Sequence, residues 1–298
     1  MSQSDPYWSR SAPRPEFAER LDPVIWGDGA GPLTPAQRER YASDGYFVQR
    51  GLLAEEEVER LVVEIGRLAT GATVSPSAAE AGVDDDEVVR EPDSALVRSI
   101  FAIDRRSELL ARLVNDPRLV SAARQILGGD VYVHQSRINF KPPFAGRSFP
   151  WHSDFETWHI EDGMPRMRAM SASILLTLNT EHNGPLLVVP GSHRRYVRCV
   201  GATPADHFRQ SLRNQTYGIP DQALLTELVR QGGIASVTGP PGTVVFFDCN
   251  LMHGSASNIT PLARHNIFTV YNSSLNPLAQ PFGGTPPRPE FLAARARG

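Results

Sequence analysis

Phe149-Pro150-Trp151-His152-Ser153-Asp154-Phe155-Glu156-Thr157-Trp158-His159-Ile160-Glu161-Asp162-Gly163-Met164-Pro165 packs two histidines, four carboxylates and two tryptophans into one short segment. Such a mixture suits neither a hydrophobic core nor ordinary surface. Two residues apart on an extended strand, His152 and Asp154 leave the same face and can share one metal ion. His159-Ile160-Glu161 is a competing pair of the same form, and spacing alone leaves either as a hydrogen-bonded surface pair. A second histidine arriving from elsewhere would complete a two-histidine, one-carboxylate facial triad, the site type of non-haem Fe(II) oxygenases.

Immediately upstream, Val131-Tyr132-Val133-His134-Gln135-Ser136-Arg137-Ile138-Asn139-Phe140-Lys141 reads as a strand closed by Pro142-Pro143. Gln135, Asn139 and Lys141 fall on one face of it. Arg137 shares that face, which leaves the register open near the middle, and an outward polar face is the alternative. Downstream, strand-like runs at 168–178, 185–189, 234–237, 242–248 and 265–272 are separated by Asn183-Gly184-Pro185, Pro190-Gly191-Ser192 and Gly239-Pro240-Pro241-Gly242. Short strands at this spacing predict an antiparallel sandwich or jelly roll.

Helical signals come earlier. Thr34-Pro35-Ala36-Gln37 is a helix start with a capping box, and Asp44-Gly45 is its stop. A short strand follows at Tyr46-Phe47-Val48. Val58, Leu61, Val62, Ile65 and Leu68 keep helical spacing, and a third helix is expected over about 106–127. Residues 71–95 are small and acidic and read as an exposed loop. Residues 193–232 form a polar, partly helical insertion, a candidate lid by length and position. The expected organisation is an arm over 1–32, one domain over 33–285 and a tail over 286–298. The fold class is α+β, mainly β, with helices packed outside the strands.

Composition excludes several classes. Of 298 residues 41% are hydrophobic and 21% charged, as in globular proteins generally. A net charge of −3 favours neither a nucleic-acid partner nor an anionic membrane. Two cysteines, Cys199 and Cys249, are too few for a disulfide framework and fit a cytoplasmic setting. Cys249 reads as a small buried residue and His193 as a turn residue. No apolar run approaches a membrane span.

A third metal ligand is offered by Phe246-Phe247-Asp248-Cys249-Asn250-Leu251-Met252-His253-Gly254-Ser255, where an apolar strand ends and a histidine follows. On the next strand Arg264, Asn266 and Phe268 alternate onto one face. A buried arginine there calls for a carboxylate, which its guanidinium can hold with two hydrogen bonds. The order His-x-Asp, long gap, His, then Arg about ten residues later is more specific than any one piece. It resembles the Fe(II)- and 2-oxoglutarate-dependent dioxygenases. The whole run from Phe149 to Pro165 is similar to the signature of the ectoine hydroxylases, in the phytanoyl-CoA dioxygenase superfamily. The likeness extends from about residue 34 to 285.

That resemblance implies a double-stranded β-helix (jelly roll, cupin-like) core, Fe(II), 2-oxoglutarate as co-substrate and O2. It also implies conversion of ectoine to 5-hydroxyectoine with release of succinate and CO2, and a homodimer. His152, Asp154 and His253 match the iron ligands. Lys141 and Arg264, with Asn139 beside them, match the 2-oxoglutarate contacts. Gln135, Trp158, Phe247 and Phe268 match ectoine contacts, joined by Thr157, Ser171 and Asn266. Without the resemblance, core packing is the ordinary fate of Phe247 and Phe268. Asp154 argues for hydroxylation, because in related halogenases a small residue and chloride stand in its place. His159, Glu156 and Glu161 read as braces of the ligand loop or as solvated groups. Two alternatives stay open: the same chemistry on another small zwitterion such as a cyclic amino acid, and a non-catalytic jelly-roll sensor that binds metal or solute.

Overall fold

Strand alternation sets the layers of this molecule. The computed structural model describes residues 5–74, 86–204 and 207–296. Among them one seven-stranded antiparallel sheet is built in the order β2 (Tyr46–Gln49), β11 (Val244–Asp248), β7 (Ala169–Leu175), β13 (Arg264–Ser273), β5 (Val131–Lys141), β4 (Val97–Phe101), β3 (Val88–Arg90). A four-stranded sheet runs β10 (Ala235–Val237), β8 (Leu186–Val188), β12 (His253–Ser255), β6 (Phe149–His152). The two sheets face each other as a double-stranded β-helix.

On β11, Val244 and Phe246 point away from the smaller sheet, and Val245 and Phe247 point toward it. The first pair joins Met170, Ala172, Ile174, Ile267 and Tyr271 in a layer under the helices. Those helices are α1 (Pro35–Asp44), α2 (Glu55–Val74), α3 (Ile103–Arg106), α4 (Glu108–Val114) and α5 (Pro117–Leu127). The second pair joins Leu175 and Phe268 against Leu186, Val188 and Val237 of the smaller sheet. The central strands are thus buried on both faces, which explains their nearly continuous apolar runs.

The capping box at Thr34 and Gln37 forms as expected, and Gly45 ends α1 in the left-handed region (φ 83). A Cβ on Gly45 would lie 2.5 Å from His193 Nδ1, so this turn must be glycine for His193 to pack beneath it. His193 is buried, with Ser192, in a 3₁₀ turn over Ser192–Arg194.

Three expectations need correction. The helix over 106–127 is broken into α3, α4 and α5. Ser107 accepts from the Leu110 amide, and Asp116 accepts from the Arg118 amide with Pro117 at the first helical position, so two cap signals interrupt one apolar pattern. Of the loop expected over 71–95, residues 71–74 continue α2 and 88–90 form edge strand β3; residues 75–85 lie outside those described. The segment before α1 contains β1 (Ser11–Glu19), paired antiparallel with β9 (Arg195–Val200) of the 193–232 insertion. Helices α7 (Phe208–Arg213) and α8 (Gln222–Gly232) complete that insertion. Among the described residues no helix is long and apolar enough to cross a membrane.

The Phe246 ring stacks on Phe47 with centroids 5.0 Å apart, between the sheet and α1. Phe246→Ala should therefore lower unfolding free energy in urea by about 3–5 kcal/mol. A loss below about 1 kcal/mol would mean that this layer collapses freely around the cavity.

Candidate metal centre and pocket

The ligand segment does not continue as a strand. β6 ends at His152, Ser153 keeps extended angles (φ −107, ψ 128), and the chain turns into α6 (Asp154–Thr157). A π-turn over Trp158–Asp162 follows, ended by Gly163 in the left-handed region. The expectation that His152 and Asp154 share one extended strand is therefore wrong. They converge because the chain turns a corner between them. The Ser153 hydroxyl holds that corner by donating to Asn250 Oδ1 (2.9 Å), and the Phe155 amide donates to the Cys249 carbonyl (2.8 Å). Cys249 is buried and unbonded to other cysteines, in keeping with its expected packing role.

β12 pairs with β6 so that His253 stands opposite His152, with ring centroids 4.3 Å apart. His152 Nδ1 lies 2.7 Å from the Pro150 carbonyl and His253 Nδ1 lies 2.9 Å from the Leu251 carbonyl. A carbonyl only accepts, so each Nδ1 carries a proton, and in the neutral ring it is Nε2 that offers a lone pair. Both lone pairs face Asp154: His152 Nε2 is 3.6 Å from Oδ1 and His253 Nε2 is 3.8 Å from Oδ2. These separations are too long for hydrogen bonds, and the buried Asp154 Oδ2 has no hydrogen-bond partner. The three ligand atoms lie within 4.8 Å of one another. One ion fits between two neutral imidazoles and a carboxylate so placed.

The electrostatics suit a cation. Burial alone would raise the Asp154 carboxyl, but His253, His152 and Arg137 hold it below the usual carboxylate range. Burial, then His152, pushes His253 down to about 4 despite Asp154. Near neutral pH His253 needs no proton removed before it ligates.

A pocket opens beside this cluster, and its walls come from β4, β5, β6, α6, the π-turn, β8, β12, β13, the insertion and the segment after β13. A register shift between Val270 and Tyr271 skips His134 on β5 and leaves Gln135, Arg137, Asn139 and Lys141 on one face. Their partners on β13 are Val270, Phe268, Asn266 and Arg264. Arg137 thus shares the pocket face, which settles the register left open above.

One end of the pocket is rich in buried cations. Arg98, Lys141 and Arg264 are 2%, 1% and 2% exposed. Their one carboxylate partner among the described residues is Glu91, 3.1 Å from Arg98 Nη1. Arg264 donates from Nε and Nη2 to the Gly184 carbonyl (3.0 and 2.8 Å), while its Nη1 is buried with no partner. Lys141 Nζ donates to Ser255 Oγ (2.7 Å) and to the Ala256 carbonyl. Burial, then Arg264 and Arg98, push Lys141 down to about 5, and burial and Arg98 push Arg264 to about 10. With Arg98 matched by Glu91 and Lys141 pushed toward its neutral form, the buried charge of Arg264 is left uncompensated and calls for an anion.

The other residues singled out in the sequence divide into two groups. Gln135, Asn139, Thr157, Trp158 and Phe268 line the pocket with Arg264 and the three ligands. Lys141 stands behind Ser255 instead of on the wall. Phe247 packs between the sheets, its ring 5.2 Å from that of His253. Ser171 and Asn266 are buried off the wall, with Ser171 Oγ and Asn266 Nδ2 unpartnered. Glu156 and Glu161 bind Arg10, and His159 stacks on Phe282 with Nε2 3.0 Å from both carboxylate oxygens of Asp5. Those three residues brace the segment and do not join the ligand cluster.

Sequence reasoning missed Arg98, Phe149, Ser255 and Arg288, all on the wall. Phe149 and Ser255 flank recognised motifs, so motif edges were the available signal. Arg288 reaches the pocket by donating to both oxygens of Asp162 (2.7 and 2.7 Å), and no local pattern announces that.

A jelly roll with two histidines and a carboxylate gathered around one point defines a class, the proteins built for a mononuclear non-haem metal. The chain belongs to the phytanoyl-CoA dioxygenase (PhyH) family, whose profile matches residues 41–266. It is 52% identical over 293 residues to an ectoine dioxygenase of Bordetella parapertussis, covering 98% of this chain and 92% of that one. Among solved structures it is similar to EctD from S. alaskensis with 2-oxoglutarate and 5-hydroxyectoine (TM-score 0.87, 47% identity, 99% of this chain and 96% of that one). It is likewise similar to EctD from S. alaskensis with bound Fe (TM-score 0.84, 46% identity, 98% and 95%). The similarity therefore extends beyond the 34–285 stretch read from the sequence into the segments on either side.

The depressed His253 value has a consequence for the metal-free protein. Its folded value of about 4 lies below the ordinary 6.5, so below pH 6.5 the unfolded chain binds a proton that the folded one refuses. The contribution is whole above pH 6.5 and is lost as pH falls toward 4. Wild type should lose roughly 1.4 kcal/mol more per pH unit in that window than His253→Gln. Parallel pH–stability curves in chemical unfolding would contradict this.

Proposed function

We propose that this protein is an Fe(II)- and 2-oxoglutarate-dependent dioxygenase that hydroxylates ectoine to 5-hydroxyectoine. The observation that carries the reading is the layout of the pocket: a three-residue cluster beside a buried arginine, Arg264, that has no carboxylate partner among the described residues. The relatives at about half identity supply the substrate class. When bound, Fe(II) with 2-oxoglutarate and O2 supplies the oxidising chemistry, and the co-substrate leaves as succinate and CO2.

The chain's own residues hold and orient. His152, Asp154 and His253 would hold the iron, with the Pro150 and Leu251 carbonyls keeping the imidazoles in the ligating tautomer. Arg264 has a spare donor at Nη1 for the far carboxylate of 2-oxoglutarate, with Arg98 behind it and Lys141 able to add positive charge once it is protonated. Ectoine is a zwitterion with a delocalised amidinium ring. The faces of Trp158 and Phe268 suit that ring, each contributing about 0.5–2 kcal/mol. Arg137 lies 4.9 Å from the Phe268 ring centroid and, among the described residues, bonds only to Gln135. It is the natural partner for the substrate carboxylate. A cytoplasmic homodimer serving compatible-solute synthesis under osmotic stress is the setting this reading implies.

Anaerobic titration with Fe(II) and 2-oxoglutarate should give a metal-to-ligand charge-transfer band. Adding ectoine and air should then release succinate with matching 5-hydroxyectoine. Turnover stimulated by proline and not by ectoine would move the substrate to the cyclic amino acids. Iron binding with no O2 consumption under any substrate would favour the sensor. Asp154→Ala should abolish the band and the turnover with the fold intact. Arg264→Ala should raise the 2-oxoglutarate requirement roughly ten- to hundredfold. Full activity in either variant refutes the assignment.

Lys141 gives a separate test. Pushed down to about 5, it is neutral near neutral pH, and a dianion in the pocket, across Ser255 from it, would draw a proton to it. Calorimetry in buffers of differing ionisation heat should show uptake of about one proton per 2-oxoglutarate in wild type. Lys141→Met should show none. Equal uptake in both would place the proton elsewhere.

A further inference from the structure

Arg10 is the point where three separate segments meet behind the pocket wall. Its backbone is left-handed (φ 62), a conformation that non-glycine residues seldom hold without strong context. Its amide donates to the Cys199 carbonyl on β9 (2.9 Å). Its side chain, 3% exposed, spreads over two carboxylates of the ligand segment. Nε and Nη2 donate to the two oxygens of Glu156 (3.0 and 2.7 Å), and Nη1 donates to Glu161 and to Thr203. Nη2 also reaches Thr157 Oγ1 (3.3 Å), and Ser9 Oγ donates to Glu156 (2.7 Å).

The third segment is the insertion. A Cβ on Gly218 would lie 2.6 Å from Arg10 Nη2 and 2.6 Å from Glu156 Oε2, so the insertion backbone lies directly on this ion pair. The same insertion sends Ser211, Leu212 and Gln215 to the pocket. The segment beneath starts at ligand Asp154 and carries Thr157 and Trp158 on the wall. On its far side Asp162 is held by Arg288, which sits 3.7 Å from Glu161. Glu156 and Glu161 are buried, and removing the arginine would leave charge uncompensated there.

We infer that Arg10 is a positioning residue for the hydroxylation: through Glu156, Glu161 and Thr157 it fixes the Thr157–Trp158 wall relative to the metal ligands and seats the insertion over the pocket. The inference rests on the ectoine reading above. A purely structural role is the competing possibility. It would lower stability and the active fraction and leave the substrate requirement and the coupling of the surviving enzyme unchanged.

The experiment uses full-length protein loaded with iron: Arg10→Gln, Gly218→Ala, and Arg198→Gln as a control. Arg198 pairs with Glu16 across β1 and β9 and so helps hold the same arm away from the pocket. Expected for Arg10→Gln is a rise of roughly ten- to hundredfold in KM for ectoine, exceeding any fall in kcat. The yield of 5-hydroxyectoine per succinate should drop, while the Fe(II)–2-oxoglutarate charge-transfer band per folded protein stays as in wild type. Gly218→Ala should move the same readouts in the same direction with the arginine still present, and Arg198→Gln should move neither. Amide hydrogen exchange over Thr157–Asp162 and the insertion should quicken in the first two variants alone. If KM, coupling and exchange stay within twofold of wild type in folded Arg10→Gln, the inference is wrong. Should that variant not fold, the same outcome in Gly218→Ala overturns it. Hydrogen exchange needs no substrate, so a wild type that ignores ectoine would sink the substrate reading while leaving Arg10 to be judged by exchange.

Discussion

The pocket depends on one register: His253 on β12 standing opposite His152 on β6. These strands are short, three and four residues, and a slip of one residue would turn a histidine to the other face. The register is secured from outside the strands. Ser153 holds Asn250, the Phe155 amide holds the Cys249 carbonyl, and the Val189 amide holds the Met252 carbonyl (3.0 Å). With those contacts made, the two Nε2 atoms and the Asp154 carboxylate point at one another without a mutual hydrogen bond. That is an unfavourable arrangement of buried polar atoms on its own, and it makes sense as a place built for a cation.

Charge is distributed around the pocket in two opposed groups. Arg98, Arg264 and the buried amine of Lys141 form a basic end with one carboxylate, Glu91, to balance it. Glu156, Glu161 and Asp162 form an acidic back wall, matched by Arg10 and Arg288. The first group is left short of partners in the protein, and the second is fully paired within it. The first end would therefore draw an anion, and the second is balanced by the protein's own arginines.

The fold was legible where one local rule decided the outcome. Strand 131–141 and the strands centred on β7, β11 and β13 followed from alternation and from Gly and Pro punctuation. The first helix followed from Thr34, Pro35 and Gln37. The break of 106–127 was written in Ser107 and in Asp116-Pro117, and the continuous apolar pattern masked it. The ligand triad was legible as an order of residues, although its geometry was not: the corner at Ser153 depends on Asn250, almost a hundred positions away. Arg10, Arg98 and Arg288 carry no local signature, because each becomes meaningful through a carboxylate or a ring that the fold brings to it. Phe247, matched to a substrate contact by resemblance, touches the site from behind, through the ring of His253.

The two sheets divide the chemistry between them. His152 and His253 ride on the smaller sheet, and Arg98, Lys141 and Arg264 ride on the larger one. The layer of Leu175, Leu186, Val188, Val245 and Phe247 lies between. Facing sheets stand about 10 Å apart, a spacing set by the side chains that interdigitate there. That apolar layer therefore works as a gauge as well as an adhesive, since its thickness sets how far the His152–Asp154–His253 cluster stands from the buried basic groups of the larger sheet. Evolution can retune the reach of the site by trading a methylene in this layer, with every polar residue of the pocket left in place.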